Sequence, residues 1–271
     1  MKRWVGGVLA LSLAALGVSL VVSRQATEAS AWAEAEATRV TIRVVSRDAK
    51  IIGTGVGGAL VRVTNAATGE LLAEGKHAGA TGDTKLIMST PHVRGMSVYD
   101  TEGAAGYVAE LPLTKPTVVN ITATGPLGYP QAMQSASKQM LLVPGGHVEG
   151  DGILLELHGY IVEILSPEPL TPAGGAIAVR ARVRMMCGCP ITPGGIWNAD
   201  NIEFSVRLKR GDAVLARAAL GFAGEASMFK GQLSVPATAA SGDLSLEVLV
   251  SDPLNQNFGR HEIPLGDQAT G

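Results

Sequence analysis

The chain has 271 residues, 46% hydrophobic and only 4% aromatic, with 22 Lys and Arg against 24 Asp and Glu, a formal charge of −2. With no basic stripe interleaved with aromatics and no block of like charges, this balance argues against nucleic acid as a partner and against a charged binding tail. The 34 glycines and 14 prolines punctuate stretches rich in Val, Thr and Ala, which predicts short strands joined by turns, an all-β protein.

The first residues carry Lys2 and Arg3, then the apolar run Trp4 to Val22, then small residues ending in Ala31-Trp32-Ala33. A basic start, a hydrophobic middle and an Ala-x-Ala end are what an export machinery and its peptidase read, so residues 1–33 are expected to be a signal peptide. The run is also about as long as the roughly 20 residues of a membrane span, so an uncleaved anchor is the alternative. Both readings put the remainder outside the cytoplasm, in the periplasm or the extracellular space.

A first β-sandwich domain is expected over residues 38–143. In Arg39-Val-Thr-Ile-Arg-Val-Val45 apolar and polar residues alternate, the period of a strand with one buried face. Ala59 to Thr64 reads as a strand, Asn65-Ala-Ala-Thr-Gly69 as a turn whose Gly69 can take a positive φ, and Glu70 to Glu74 as the returning strand. The turn Ala80-Thr-Gly-Asp83 then leads into Thr84 to Met88, read as another strand. This order of strand, Thr-Gly turn, strand and Gly/Asp turn, over about Ala59 to Met88, resembles the transthyretin-like, carboxypeptidase-regulatory type of β-sandwich. The resemblance implies a non-catalytic support or binding module. Further strands are expected at Tyr107 to Pro112, Thr117 to Thr124 and Gln139 to Val143, with an irregular loop from Gly125 to Met140 between the last two. Met133 and Met140 in that loop are either copper ligands or core filler.

Pro144-Gly-Gly-His-Val-Glu-Gly-Asp-Gly152 is read as a linker, because four glycines and a proline hold neither strand nor helix together. Seven strands follow in residues 153–265, beginning with Ile153 to Leu165 and Ala176 to Met185, and seven is the immunoglobulin-like count. No cysteine pair can span two sheets there. Lys209-Arg-Gly-Asp212 is the tight turn of a central hairpin, and residues 266–271 are a tail. The expected fold is two tandem β-sandwich domains after the N-terminal signal peptide or anchor.

Both cysteines fall in one stretch, Arg184-Met-Met-Cys-Gly-Cys-Pro-Ile-Thr-Pro-Gly-Gly-Ile-Trp197. Upstream of it, Arg180, Arg182 and Arg184 alternate with apolar residues, so the three arginines are expected on one face, toward water or a partner. If the strand stays extended through Gly188, Met185, Cys187 and Cys189 lie on the other face, and Pro190 stops the ladder. Four readings of the cysteines remain open. They bind Cu(I) or another soft metal, with Met185 or Met186 as a further ligand and His158 or His261 as candidates from other strands. They form a disulfide whose very small ring is strained and easily reduced, which implies redox work. They are structural, or they pair between chains.

Other chemistry is discounted. There is no Cys-x-x-Cys, no Gly-x-Ser-x-Gly, and no Lys-Ser/Thr after the glycines of Gly53 to Gly58. Asp252 to Asn257, with one carboxylate, reads as a turn before a calcium loop. The functional expectation is an exported binding protein without catalytic residues, handling Cu(I) through Met185, Met186, Cys187 and Cys189. Its alternatives are a docking subunit that meets a cell-envelope protein through Arg180, Arg182 and Arg184, and a thiol–disulfide protein.

Overall fold

A computed structural model describes residues 37–167, 175–239 and 243–265. The signal or anchor expected at 1–33 and the tail at 266–271 lie outside the described residues. Among the described residues no helix is long and apolar enough to cross a membrane.

The first sandwich comprises β1 (Thr38–Ser46), β2 (Ala59–Asn65), β3 (Leu71–His77), the short helix α1 (Thr84–Met88), β4 (Tyr107–Leu111), β5 (Thr117–Gly125), β6 (Gln134–Leu142) and β7 (Val148–Leu157). One sheet has the order β4-β1-β7 and the other β3-β2-β5-β6. The core between them is built from the alternating apolar positions the sequence predicts, among them Val40, Ile42 and Val44 of β1 and Val61 and Val63 of β2. The hairpin at Asn65 forms as expected: Gly69 has φ 75°, and the Asn65 carboxamide oxygen accepts from the Ala67 N–H at 2.9 Å.

Three expectations for this half are corrected. Thr84 to Met88 is a helix, because Asp83 caps it by accepting the Leu86 N–H at 2.6 Å. Its Ile87 packs with Val45, Ile51, Val98 and Ala105, a small second core that covers the back of β1. Residues 134–140, expected to be loop, are the body of β6, paired along its length with β5. The stretch 144–152 does not act as a linker, since Val148 already pairs with Val40 of β1 in parallel. Gly150 and Gly152, at φ 66° and 68°, bulge the strand outward before Ile153 rejoins Ile42. Ile153 to Leu165 is therefore two strands in two sandwiches. The change of sheet falls at His158-Gly159, where Gly159 has φ 141°.

The second sandwich comprises β8 (Tyr160–Pro167), β9 (Ala176–Met185), β10 (Glu203–Arg210), β11 (Ala213–Ala219), β12 (Gly221–Phe222), β13 (Met228–Ser234), β14 (Leu244–Asp252) and β15 (Asn257–Leu265). Its sheets run β12-β13-β9-β8 and β11-β10-β14-β15. Lettered in chain order from A with β11 as C′, these are the DEBA and C′CFG sheets of an immunoglobulin-like sandwich. Among the described residues the count exceeds the expected seven by the two-residue β12. Its core includes Val179, Val183, Val206, Leu246 and Val248, with Phe204 stacked on Phe229 at 3.8 Å between ring centroids.

Candidate functional site

The alternation read in β9 holds to its last residue: Ile177, Val179, Ala181, Val183 and Met185 are buried, and the residues between them are exposed or half-buried. The extension through Gly188 does not hold. Gly188 takes φ 83°, a left-handed conformation that turns the chain. The turn is closed by the Gly188 N–H to the Met185 carbonyl at 2.8 Å and the Met185 N–H to the Cys189 carbonyl at 3.1 Å. Cys187 and Cys189 are joined in a disulfide across it.

The turn is also the seam between the sandwiches. Met185, Cys187 and Cys189 belong to the core of the second, while Met186, fully buried, belongs to the core of the first. The two methionines thus point into different cores and do not converge on the sulfurs. Gly188 lies against Val56, whose Cγ1 would be 2.9 Å from a Cβ added there. The exchange runs both ways. Ile161 of β8 also enters the first core, and Ala49, from the turn after β1, enters the second.

Polar contacts complete the seam. The Trp197 Nε1–H donates to the Asp48 carbonyl at 2.8 Å, folding the loop after the cysteines onto the first sandwich. Arg47 Nε donates to the Asn255 carbonyl at 2.9 Å, and the Asn257 side chain accepts the Gly159 N–H at 2.5 Å where the chain crosses over. Asp252 holds the turn read at 252–257 by accepting from the Asn255 N–H at 3.1 Å and its side-chain amide at 2.9 Å. A cavity of about 130 Å³ remains between Asp48, Trp197 and Asp252. Burial, then the neighbouring Asp252 carboxylate, raises the Asp48 pKa above its ordinary value.

The expected arginine row is divided. Arg184 is withdrawn from it: its Nη2 donates to the Tyr129 hydroxyl at 2.7 Å and to Glu163 at 2.9 Å, with the guanidinium over the Tyr129 ring. It ties β9 to the first sandwich, which periodicity alone could not reveal. Arg182 lies directly opposite Glu163, yet that carboxylate goes to Arg184. Arg180 is exposed and directly opposite the exposed Lys230 of β13.

The histidines considered as further ligands stand elsewhere. His158 bonds the Gln256 carbonyl at 3.0 Å and Glu156 at 3.1 Å, and His261 lies on β15. Met133 is exposed and Met140 packs against the first core. Among the described residues no three His, Cys, Asp or Glu side chains are grouped so as to hold a metal ion.

No protein-family model and no curated protein matches the chain. Among solved structures, a crystal structure of Dpr2 Ig1-Ig2 in complex with DIP-Theta Ig1-Ig3 is similar at 10% identity and a TM-score of 0.25, over 82% of this chain and 96% of that one. The immunoglobulin-like order of the second sandwich rests on the chain's own strand pairing.

Proposed function

We propose that this is an exported, non-catalytic docking protein whose basic sheet face meets an acidic surface of a cell-envelope protein. The observation that carries this reading is the like-charged cross-strand pair Arg180 and Lys230 on the outer face of β9 and β13. Like charges directly opposite one another destabilise a sheet, so a partner's carboxylates offset a local cost. Arg182 adds a third cation two residues along the same face, and none of the three has an ion pair among the described residues. The sulfur turn, which joins two cores, then serves to fix the sandwiches against each other.

The test is cross-linking of the mature protein in its own envelope, with the double reversal Arg180→Glu, Lys230→Glu. One cross-linked partner, lost in the variant and weakened as salt rises, is the expected result. A partner captured equally by the variant sinks the reading.

The Cu(I) reading draws on Met185, Cys187 and Cys189 sharing one core, and it requires reduction of the disulfide to free the thiolates. It is tested separately, by Cu(I) titration of reduced protein against a chelator. Stoichiometric binding that Cys187→Ser abolishes would support it, and binding that survives loss of both cysteines would end it. The thiol–disulfide reading requires measurable exchange with a small thiol in the folded protein.

A further inference from the structure

A second feature of the seam is unconnected to the basic row. A cleft of about 620 Å³ opens where the 3-10 turn Pro130–Ala132 and the start of β6 face the outer side of the β10-β14-β15 sheet. That volume lies within the range of about 300–1,000 Å³ typical of small-molecule sites, which also favour domain junctions.

The register decides what the cleft presents. Arg207 of β10 stands opposite both Arg217 of β11 and Glu247 of β14, and Leu249 stands opposite Arg260 of β15. Arg207, Lys209 and Arg260 share the Glu247 carboxylate. It is buried, with Arg207 at 3.7 Å, Lys209 at 3.8 Å and Arg260 at 3.5 Å. The other nearby acid, Glu262, is taken by Lys209 at 2.8 Å and Ser245 at 2.6 Å. Glu203 lies opposite Ser251 at the Phe258 end of the cleft, two same-face positions from Arg207 and so away from the paired arginines. The arginine contacts to Glu247 are long for hydrogen bonds, so the forked donors of Arg207 and Arg260 stay available to another acceptor.

The rest of the wall is apolar or neutral. Phe258, 56% exposed, and Leu249 line the cleft from the β14-β15 side, and the buried Ala132 lines it from the first sandwich. Gln131 and Gln134 bring amides from the first sandwich. A cationic end beside an exposed aromatic fits a ligand with a negative head and an apolar body.

We propose that this cleft binds a small amphipathic carboxylate, its carboxylate on Arg207 and Arg260 and its apolar body against Phe258, Leu249 and Ala132. Both sandwiches contribute walls, so the fixed seam holds the site in shape.

The probe is 8-anilinonaphthalene-1-sulfonate, an aromatic anion whose fluorescence reports an apolar site, displaced in turn by decanoate and by decanol. The expected result is saturable one-to-one binding, displaced at least tenfold better by decanoate than by decanol. Arg260→Gln should weaken decanoate at least fivefold and leave decanol unchanged, and Phe258→Ala should weaken both. Both side chains are exposed, and an unaltered thermal melt checks that the variants fold. No saturable binding, equal displacement by acid and alcohol, or indifference to both substitutions overturns the proposal. The reversal Arg180→Glu, Lys230→Glu should leave binding untouched, which separates failure of the cleft from failure of the docking face.

Discussion

His77 shows how much one buried side chain can set. It is fully buried at the end of β3, where its Nε2 accepts the Val44 N–H at 3.1 Å and its Nδ1 has no hydrogen-bond partner among the described residues. Burial pushes its pKa down to about 4. As pH falls, the unfolded chain therefore takes up this proton first. The stability from the neutral ring is fully present above about 6.5 and is lost between there and about 4, about 3 kcal/mol in all. His261, also lowered by burial against the opposing pull of Glu163, adds to the loss with the same sign. Asp151 acts in a lower window. Burial raises its pKa, but the Ser97 hydroxyl and the N–H groups of Val98, Tyr99 and Asp100, each at 2.8 Å, outweigh that and lower it. Its contribution is present above the ordinary carboxylate range and is lost only as pH falls through the depressed value. Asp48, whose raised pKa makes the folded chain take up its proton first, works in the opposite sense at the acid end of this range. The shift of His77 is the larger, so the stability measured by urea unfolding should fall from pH 7 to 4.5. His77→Gln, whose amide oxygen can still accept from Val44, should lose most of that dependence. Equal slopes for the two proteins would show that His77 does not carry it.

At the scale of an element, β9 and its turn join the predictable to the unpredictable. Its alternation, read from sequence, placed Val179, Val183 and Met185 in the core correctly because a period of two fixes faces wherever one face is buried. The same logic missed the turn, since only the conformation of Gly188 ends the period, and it missed Arg184, whose partner Tyr129 lies in the other sandwich. The domain boundary was misjudged for a related reason. Glycines that read as a linker are tolerated inside β7 because β1 supplies pairing on either side of the bulge. Local composition cannot report a neighbour contributed from more than a hundred residues away. Gly188→Ala tests the turn directly. A left-handed L-residue costs roughly 1–2 kcal/mol, and Val56 must also give way. The midpoint of urea unfolding should fall accordingly with its slope unchanged, and a shift below about 0.5 kcal/mol would mean the turn relaxes without strain. Reducing the disulfide should cost about as much, roughly 1–2 kcal/mol, because so short a loop removes little entropy from the unfolded chain.

The whole molecule depends on whether the seam makes two sandwiches into one folding unit. Each sandwich contains its own core, and chains of this kind usually carry domains that can move independently. Here, however, Ile161 and Met186 leave the second sandwich to complete the first core, and Ala49 makes the reverse crossing. Fully burying side chains of the size of Ile161 and Met186 contributes about 1.5–3 kcal/mol each, stabilisation that exists only while the sandwiches are joined. Separating them would also leave Trp197 and Arg184 without their partners Asp48 and Tyr129. These contributions together rival the 5–15 kcal/mol net stability of a typical domain, so one sandwich cannot unfold without stripping much of the other's margin. Calorimetry of the chain without residues 1–33 should accordingly show a single transition with van't Hoff and calorimetric enthalpies equal, roughly 150 kcal/mol near 60 °C. Met186→Ala, leaving a cavity worth about 2–5 kcal/mol in the first core, should lower that one transition as a whole. If instead the variant splits the melt, with the second sandwich unfolding at its original temperature, the seam is a contact between independent domains, and the cleft between them has no fixed shape.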